Sequence, residues 1–88
     1  MIRRRVFVHG LVQGVFFRDT VRRRAFAADV TGWIRNTHDG AVEAVFEGAP
    51  DAVERLVAFC RKGPRGARVD RIEVVDEELE GLEGFAIR

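Results

Sequence analysis

The 88 residues carry 15 Lys or Arg against 14 Asp or Glu, a formal net charge of +1, with 47% hydrophobic and 33% charged side chains. That balance supports a packed core under a charged surface and excludes intrinsic disorder. No apolar run approaches the roughly 20 residues that cross a bilayer as a helix, and a single cysteine, Cys60, excludes an internal disulfide.

We therefore expect one domain over residues 1–88, cytoplasmic and free of membrane contact. The charge is uneven: residues 1–44 sum to +4 and residues 45–88 to −3, and every cation but Lys62 is arginine. Arginine grips phosphate through a planar fork, yet near-neutrality overall argues against a general nucleic-acid binder.

Val6, Val8 and Val12 alternate at period two and predict a first strand over 6–12. Gln13-Gly14-Val15-Phe16 breaks that alternation, after which Phe17, Val21, Ala25 and Ala28 form the stripe of a helix with Arg22-Arg23-Arg24 on its solvated side. Asp29 to Gly32 closes this helix and opens a second strand ending at Asn36. Thr37-His38-Asp39-Gly40 reads as a hairpin turn into a third strand, where Val42, Ala44 and Phe46 alternate with Glu43, Val45 and Glu47. Pro50 suits the first turn of a second helix with Val53, Leu56, Val57 and Cys60 inward, and Gly63-Pro64 stops it. Val69–Val75 predicts a fourth strand, Glu77 to Gly81 an acidic solvated loop, and Phe85-Ala86-Ile87 a short last strand. The order strand, helix, strand, strand, helix, strand gives an α+β fold. It is the ferredoxin-like split βαβ sandwich (βαββαβ), an antiparallel sheet with two helices on one face and the other face largely open.

Gln13, Gly14, Val15, Phe16, Phe17 and Arg18 join a strand end to a helix start, where backbone N–H groups lack intrahelical partners. Gly14 lets the turn tighten so that these donors converge, and Arg18 adds a positive fork, a combination suited to a phosphate dianion. Asn36 ends the strand beside the first, and its carboxamide can accept from a water while donating to a substrate oxygen. On spacing alone, an ordinary turn with a surface arginine and a turn-initiating asparagine account for these residues as well. His9 and His38 have no partners at metal-ligand spacing, no serine exists to act as nucleophile, and Cys60 sits on an apolar stripe. Phe7 and Trp33 on the open face could stack bases, but Glu43 and Glu47 beside them would repel phosphates.

Gly10-Leu11-Val12-Gln13-Gly14-Val15-Phe16-Phe17-Arg18 resembles the first signature of the acylphosphatases, and Gly32-Trp33-Ile34-Arg35-Asn36 with Gly40, Val42 and Gly48 resembles the second. The resemblance extends over the whole chain, with Ile34 standing where the family more often has a smaller residue. It implies hydrolysis of the carboxyl–phosphate anhydride of acyl phosphates to a carboxylate and inorganic phosphate, with no metal or cofactor. It also implies Arg18 as the phosphate-binding arginine, Asn36 as the residue orienting water, and a phosphate-binding loop over residues 13–18 whose backbone N–H groups from about Val15 to Arg18 form the cradle. A monomer acting on a small-molecule acyl phosphate is expected, and nucleic acid is not expected as a partner. The competing readings are a non-catalytic phosphate-binding module and an RNA-binding ferredoxin-like module.

Overall fold

A computed structural model describes all 88 residues, Met1–Arg88. Seven elements follow in order: β1 (Ile2–Leu11), α1 (Phe17–Ala27), β2 (Thr31–Asn36), β3 (Val42–Gly48), α2 (Pro50–Lys62), β4 (Arg68–Glu77) and β5 (Phe85–Ile87). The strands form one sheet in the order β4-β1-β3-β2-β5. β1 pairs antiparallel with β3 and β4, and β2 pairs antiparallel with β3. The split βαβ sandwich is therefore as expected. The short last strand over Phe85–Ile87 is also as expected, but β5 joins β2 in parallel through Gly32, Trp33 and Ile34, so the sheet is mixed rather than antiparallel.

The core forms where the period-two and helical stripes meet. Val6, Val8, Ile34, Val42, Ala44 and Phe46 point from the sheet onto Phe17, Val21 and Ala25 of α1 and Val53, Leu56, Val57 and Cys60 of α2, all of them buried. Burial alone pushes the Cys60 thiol up to about 12, so it stays protonated and inert. At Gly32 an added Cβ would lie 1.8 Å from the Val45 carbonyl oxygen, so only glycine admits this close strand approach.

Three expectations are corrected. β1 starts at Ile2 rather than Val6, because Arg3 and Arg5 alternate into the sheet instead of staying in solvent. The second sheet face carries no helix and stays exposed along β4, as expected, but its centre is closed by ion pairs rather than open. Arg3 stands in register with Glu47 on β3 and Glu77 on β4 and bonds both at 2.8 Å, while Arg5 joins Glu77 to Glu43 and Arg35 reaches Glu43 at 2.7 Å. Arg3, Glu43 and Glu47 end up 3%, 6% and 3% exposed, so the two glutamates are neutralised rather than left to repel phosphates.

In the segment 77–81, residues 78–81 are exposed loop as expected, but Glu77 and the backbone depart from a free loop. Glu77 belongs to β4, and the backbone N–H groups of Glu80, Gly81 and Leu82 donate to the Glu47 carboxylate at 2.7, 3.1 and 3.0 Å. This clasp covers the sheet and delivers the chain to β5. Trp33 lies under the guanidinium groups of Arg5 and Arg88, at 5.5 and 4.6 Å from its ring, and only 8% of it is exposed. That removes Trp33 as a platform on which a base could stack, while Phe7 stays half-buried.

Candidate active site

β1, β2 and β5 run in one direction and β4 in the other, so the end of β1, Asn36, Ile87 and the start of β4 all lie at one end of the sheet. The loop from β1 to α1 crosses this end. Gly14 has φ +75°, and Phe16, the residue before the helix, has φ 59° and ψ 25°. A left-handed Phe costs on the order of 1–3 kcal/mol, strain of the kind that clusters at functional turns. Phe16 offers no side-chain cap and is 80% exposed.

The consequence is a run of free donors. From Gly14 to Asp19 no backbone N–H reaches a protein acceptor, and the first bond of the helix is Thr20 N–H to the Phe16 carbonyl at 3.1 Å. Arg18 stands within that run with no carboxylate in ion-pair range, whereas Arg22 and Arg23 one turn on both hold Asp19. A cleft of about 270 Å³ opens here between Gly14, Phe16, Arg18 and Asp19 on one side and Ile87 of β5 on the other. Consecutive free N–H groups at a helix start, beside an unneutralised guanidinium, make a site for an anion.

Asn36 brings the second feature. Its Oδ1 is buried without any hydrogen-bond partner, a costly condition for an amide oxygen unless a water or ligand supplies the donor. The adjoining hairpin is rigid. Thr37 accepts from the Ala41 N–H at 3.0 Å and donates to Asp39, and that donation, with the Ala41 N–H also donating to Asp39, holds the Asp39 carboxyl below its usual range.

Gln13 ties the two parts together: its Nε2 donates to the carbonyls of Thr37 and Ala41, each at 2.8 Å. The structure thus gathers the loop, Arg18 and Asn36 at one end of the sheet. Gln13 contributes its side chain to bracing the hairpin, which spacing could not show, and Ile87 lines the cleft although the sequence marked it only as a strand residue. His9 bonds Glu73 at 3.0 Å away from the loop, and no three His, Cys, Asp or Glu side chains converge as metal ligands.

A split βαβ sandwich with a turn of free backbone N–H donors at the end of its first strand is the class that fold and site define. The acylphosphatase family model matches residues 4–87. Among curated relatives, the acylphosphatase of Rubrobacter xylanophilus is 54% identical over 85 residues, spanning 96% of this chain and 77% of that protein. The acylphosphatase of Chloroflexus aurantiacus is 52% identical over 85 residues, with 97% and 92% covered. The crystal structure of acylphosphatase from Bacillus subtilis superposes with a TM-score of 0.95 at 36% identity, covering 100% of this chain and 99% of that one. The chain belongs to the acylphosphatase family, and it is an enzyme that hydrolyses acyl phosphates.

One prediction arises directly from the brace. Gln13→Ala removes two hydrogen bonds, worth roughly 1–3 kcal/mol together, and frees the loop to drift relative to Asn36. Because small misplacements are expensive in catalysis, kcat/KM for benzoyl phosphate should fall about tenfold or more. Steady-state kinetics equal to the parent's would show that the brace has no part in aligning the site.

Proposed function

We propose that the backbone N–H groups over residues 14–18 and the Arg18 guanidinium bind the phosphoryl group, and that Asn36 holds the attacking water in line with phosphorus. The observation that supports this best is the pairing of unmet needs at one end of the sheet: donors without acceptors at the loop, and a buried amide oxygen without a donor at Asn36. A phosphate dianion answers the first and a water the second. With Oδ1 accepting from the water, Nδ2 remains to donate to a phosphoryl oxygen.

The chemistry asks for little else. Phosphoryl transfer passes through a loose transition state with charge spread over the equatorial oxygens, and fixed N–H dipoles with a guanidinium neutralise it without reorganising. The leaving carboxylate, ordinarily of pKa about 4, departs without a proton donor. Hydrolysis by this route needs neither metal nor cofactor. We read the protein as one domain over residues 1–88, acting as a cytoplasmic monomer. No helix is long and apolar enough to cross a membrane.

The test is hydrolysis of benzoyl phosphate in the presence of a chelator, by the parent and by Asn36→Ala. The parent should turn over unimpeded, and the variant should lose on the order of 10²- to 10³-fold in kcat, the scale on which a single positioned polar group acts. A parent silenced by chelator would require a metal in the mechanism. An Asn36→Ala variant with parental kcat would remove Asn36 from it.

A further inference from the structure

Beside the loop, on the side away from Asn36, lies a second and larger depression, an open groove of about 690 Å³ between the start of α1 and the connection from α2 to β4. Val15, Phe16 and Phe59 line its apolar part, and Arg24, Lys62 and Arg65 its polar part. No acidic residue lines it. None of the three cations has a carboxylate in ion-pair range, although charged neighbours elsewhere on the surface pair freely. Arg24 stacks on the Phe59 ring at 3.9 Å, which holds its guanidinium over the groove floor. Concentrated, unneutralised positive charge beside apolar surface is a feature that binding can exploit.

The groove's relation to the reaction follows from the strand order. Across the shared end of the sheet lie, in sequence, Arg68 of β4, Leu11 of β1, Val42 of β3 and Asn36 of β2. The loop after Leu11 occupies the middle, Asn36 one side, and residues 63–67 the other. In-line displacement sets the attacking water and the leaving acyl oxygen on opposite faces of phosphorus. With the water on the β2 side, the acyl group is directed toward β4. Phe16 lines both the cleft and the groove, so an acyl chain leaving the first enters the second past its exposed ring.

We infer that this groove is the acyl subsite and that it selects acyl phosphates whose acyl group carries a second anionic group, a carboxylate or phosphate held by Arg24, Lys62 and Arg65. The inference rests on the placement of phosphate and water proposed above. Apolar contact with Phe16 and Val15 would hold the body of the acyl chain, and the cations its far end. Binding there would add to KM discrimination without entering the chemical step.

The test compares benzoyl phosphate with 4-carboxybenzoyl phosphate, rigid substrates that differ only in the remote charge, on the parent and on Lys62→Gln/Arg65→Gln. Both positions are exposed, so the double variant keeps its fold. The parent should show a KM about tenfold lower for the carboxylated substrate, the scale of two or three exposed ion pairs. That preference should shrink toward unity in the double variant and in 0.5 M salt, and Lys62→Glu/Arg65→Glu should reverse it. A parent that hydrolyses both substrates with equal KM, or a preference that survives both double variants, overturns the subsite and leaves the phosphate and water placement standing. A parent that hydrolyses neither overturns that placement and the subsite together.

Discussion

Arg18→Ala should lower kcat/KM for benzoyl phosphate on the order of 10³-fold, as removal of a guanidinium that neutralises a transferring phosphoryl group does elsewhere. The size follows from what Arg18 is free to do. It stands in the first turn of α1 among N–H groups that bond to nothing in the protein, and no carboxylate competes for its charge. Ground-state phosphate and transition state both carry negative charge, so KM should rise, but the larger loss should fall on kcat as charge shifts onto the equatorial oxygens. Arg18→Lys should recover only part, because an ammonium offers a point charge where the fork makes two parallel bonds. The remaining N–H groups explain why activity should not vanish. Rates within a few fold of the parent for Arg18→Ala would place the phosphate elsewhere.

The second large effect is on stability. Glu47→Ala strips the buried Arg3 guanidinium of one of its carboxylates and leaves the N–H groups of Glu80, Gly81 and Leu82 without acceptors. Breaking a buried ion pair from one side costs about 3–5 kcal/mol, which in a domain of this size lowers Tm by roughly 12 °C or more. A loss within about 0.5 kcal/mol by urea titration would mean that the pair is worth no more than a surface salt bridge.

The same network predicts an acid limit. Burial raises the Glu47 carboxyl, but the N–H groups of Glu80 and Leu82 and the Arg3 side chain outweigh it and hold it below its ordinary value; Arg5 and Arg3 do the same for Glu77. Both groups bind protons less readily folded than unfolded. Their contribution is present in full above the ordinary value of 4.5 and disappears as pH falls below it through the lower folded values. Urea midpoints should therefore hold steady from pH 7 to about 5 and then decline. The decline should be shallower in Glu47→Gln, which has one such carboxyl fewer. A midpoint insensitive to pH between 5 and 3 would contradict the account.

Loss of the clasp should also reach the site. The 80–82 segment leads to Gly84, whose carbonyl accepts from Gly32 N–H at 2.9 Å, and then to β5, whose Ile87 lines the cleft beside Arg18.

The helices and the inner sheet face were legible because Val6, Val8, Val42, Ala44 and Phe46 announce period two, while Val53, Leu56, Val57 and Cys60 announce a helical stripe. Arg18 and Asn36 were legible as candidates because a glycine turn before a helix and an amide at a strand end are local features. Their roles came only with the resemblance. Arg3, Arg5 and Glu47 were not legible. Buried charge looks the same as solvated charge in a sequence until the partners on neighbouring strands are in register, and those partners lie 44 and 74 residues apart. Gln13 was hidden for the same reason: its side chain answers two carbonyls in a hairpin more than twenty residues away.

The most direct measurement of the central claim is hydrolysis of benzoyl phosphate by the parent in ¹⁸O-enriched water, with the label located by mass spectrometry. Water held by Asn36 in line with phosphorus places the heavy oxygen in the inorganic phosphate and leaves benzoate unlabelled. Label in benzoate would show attack at the acyl carbon, and would contradict a site in which the loop and Arg18 present phosphorus to that water.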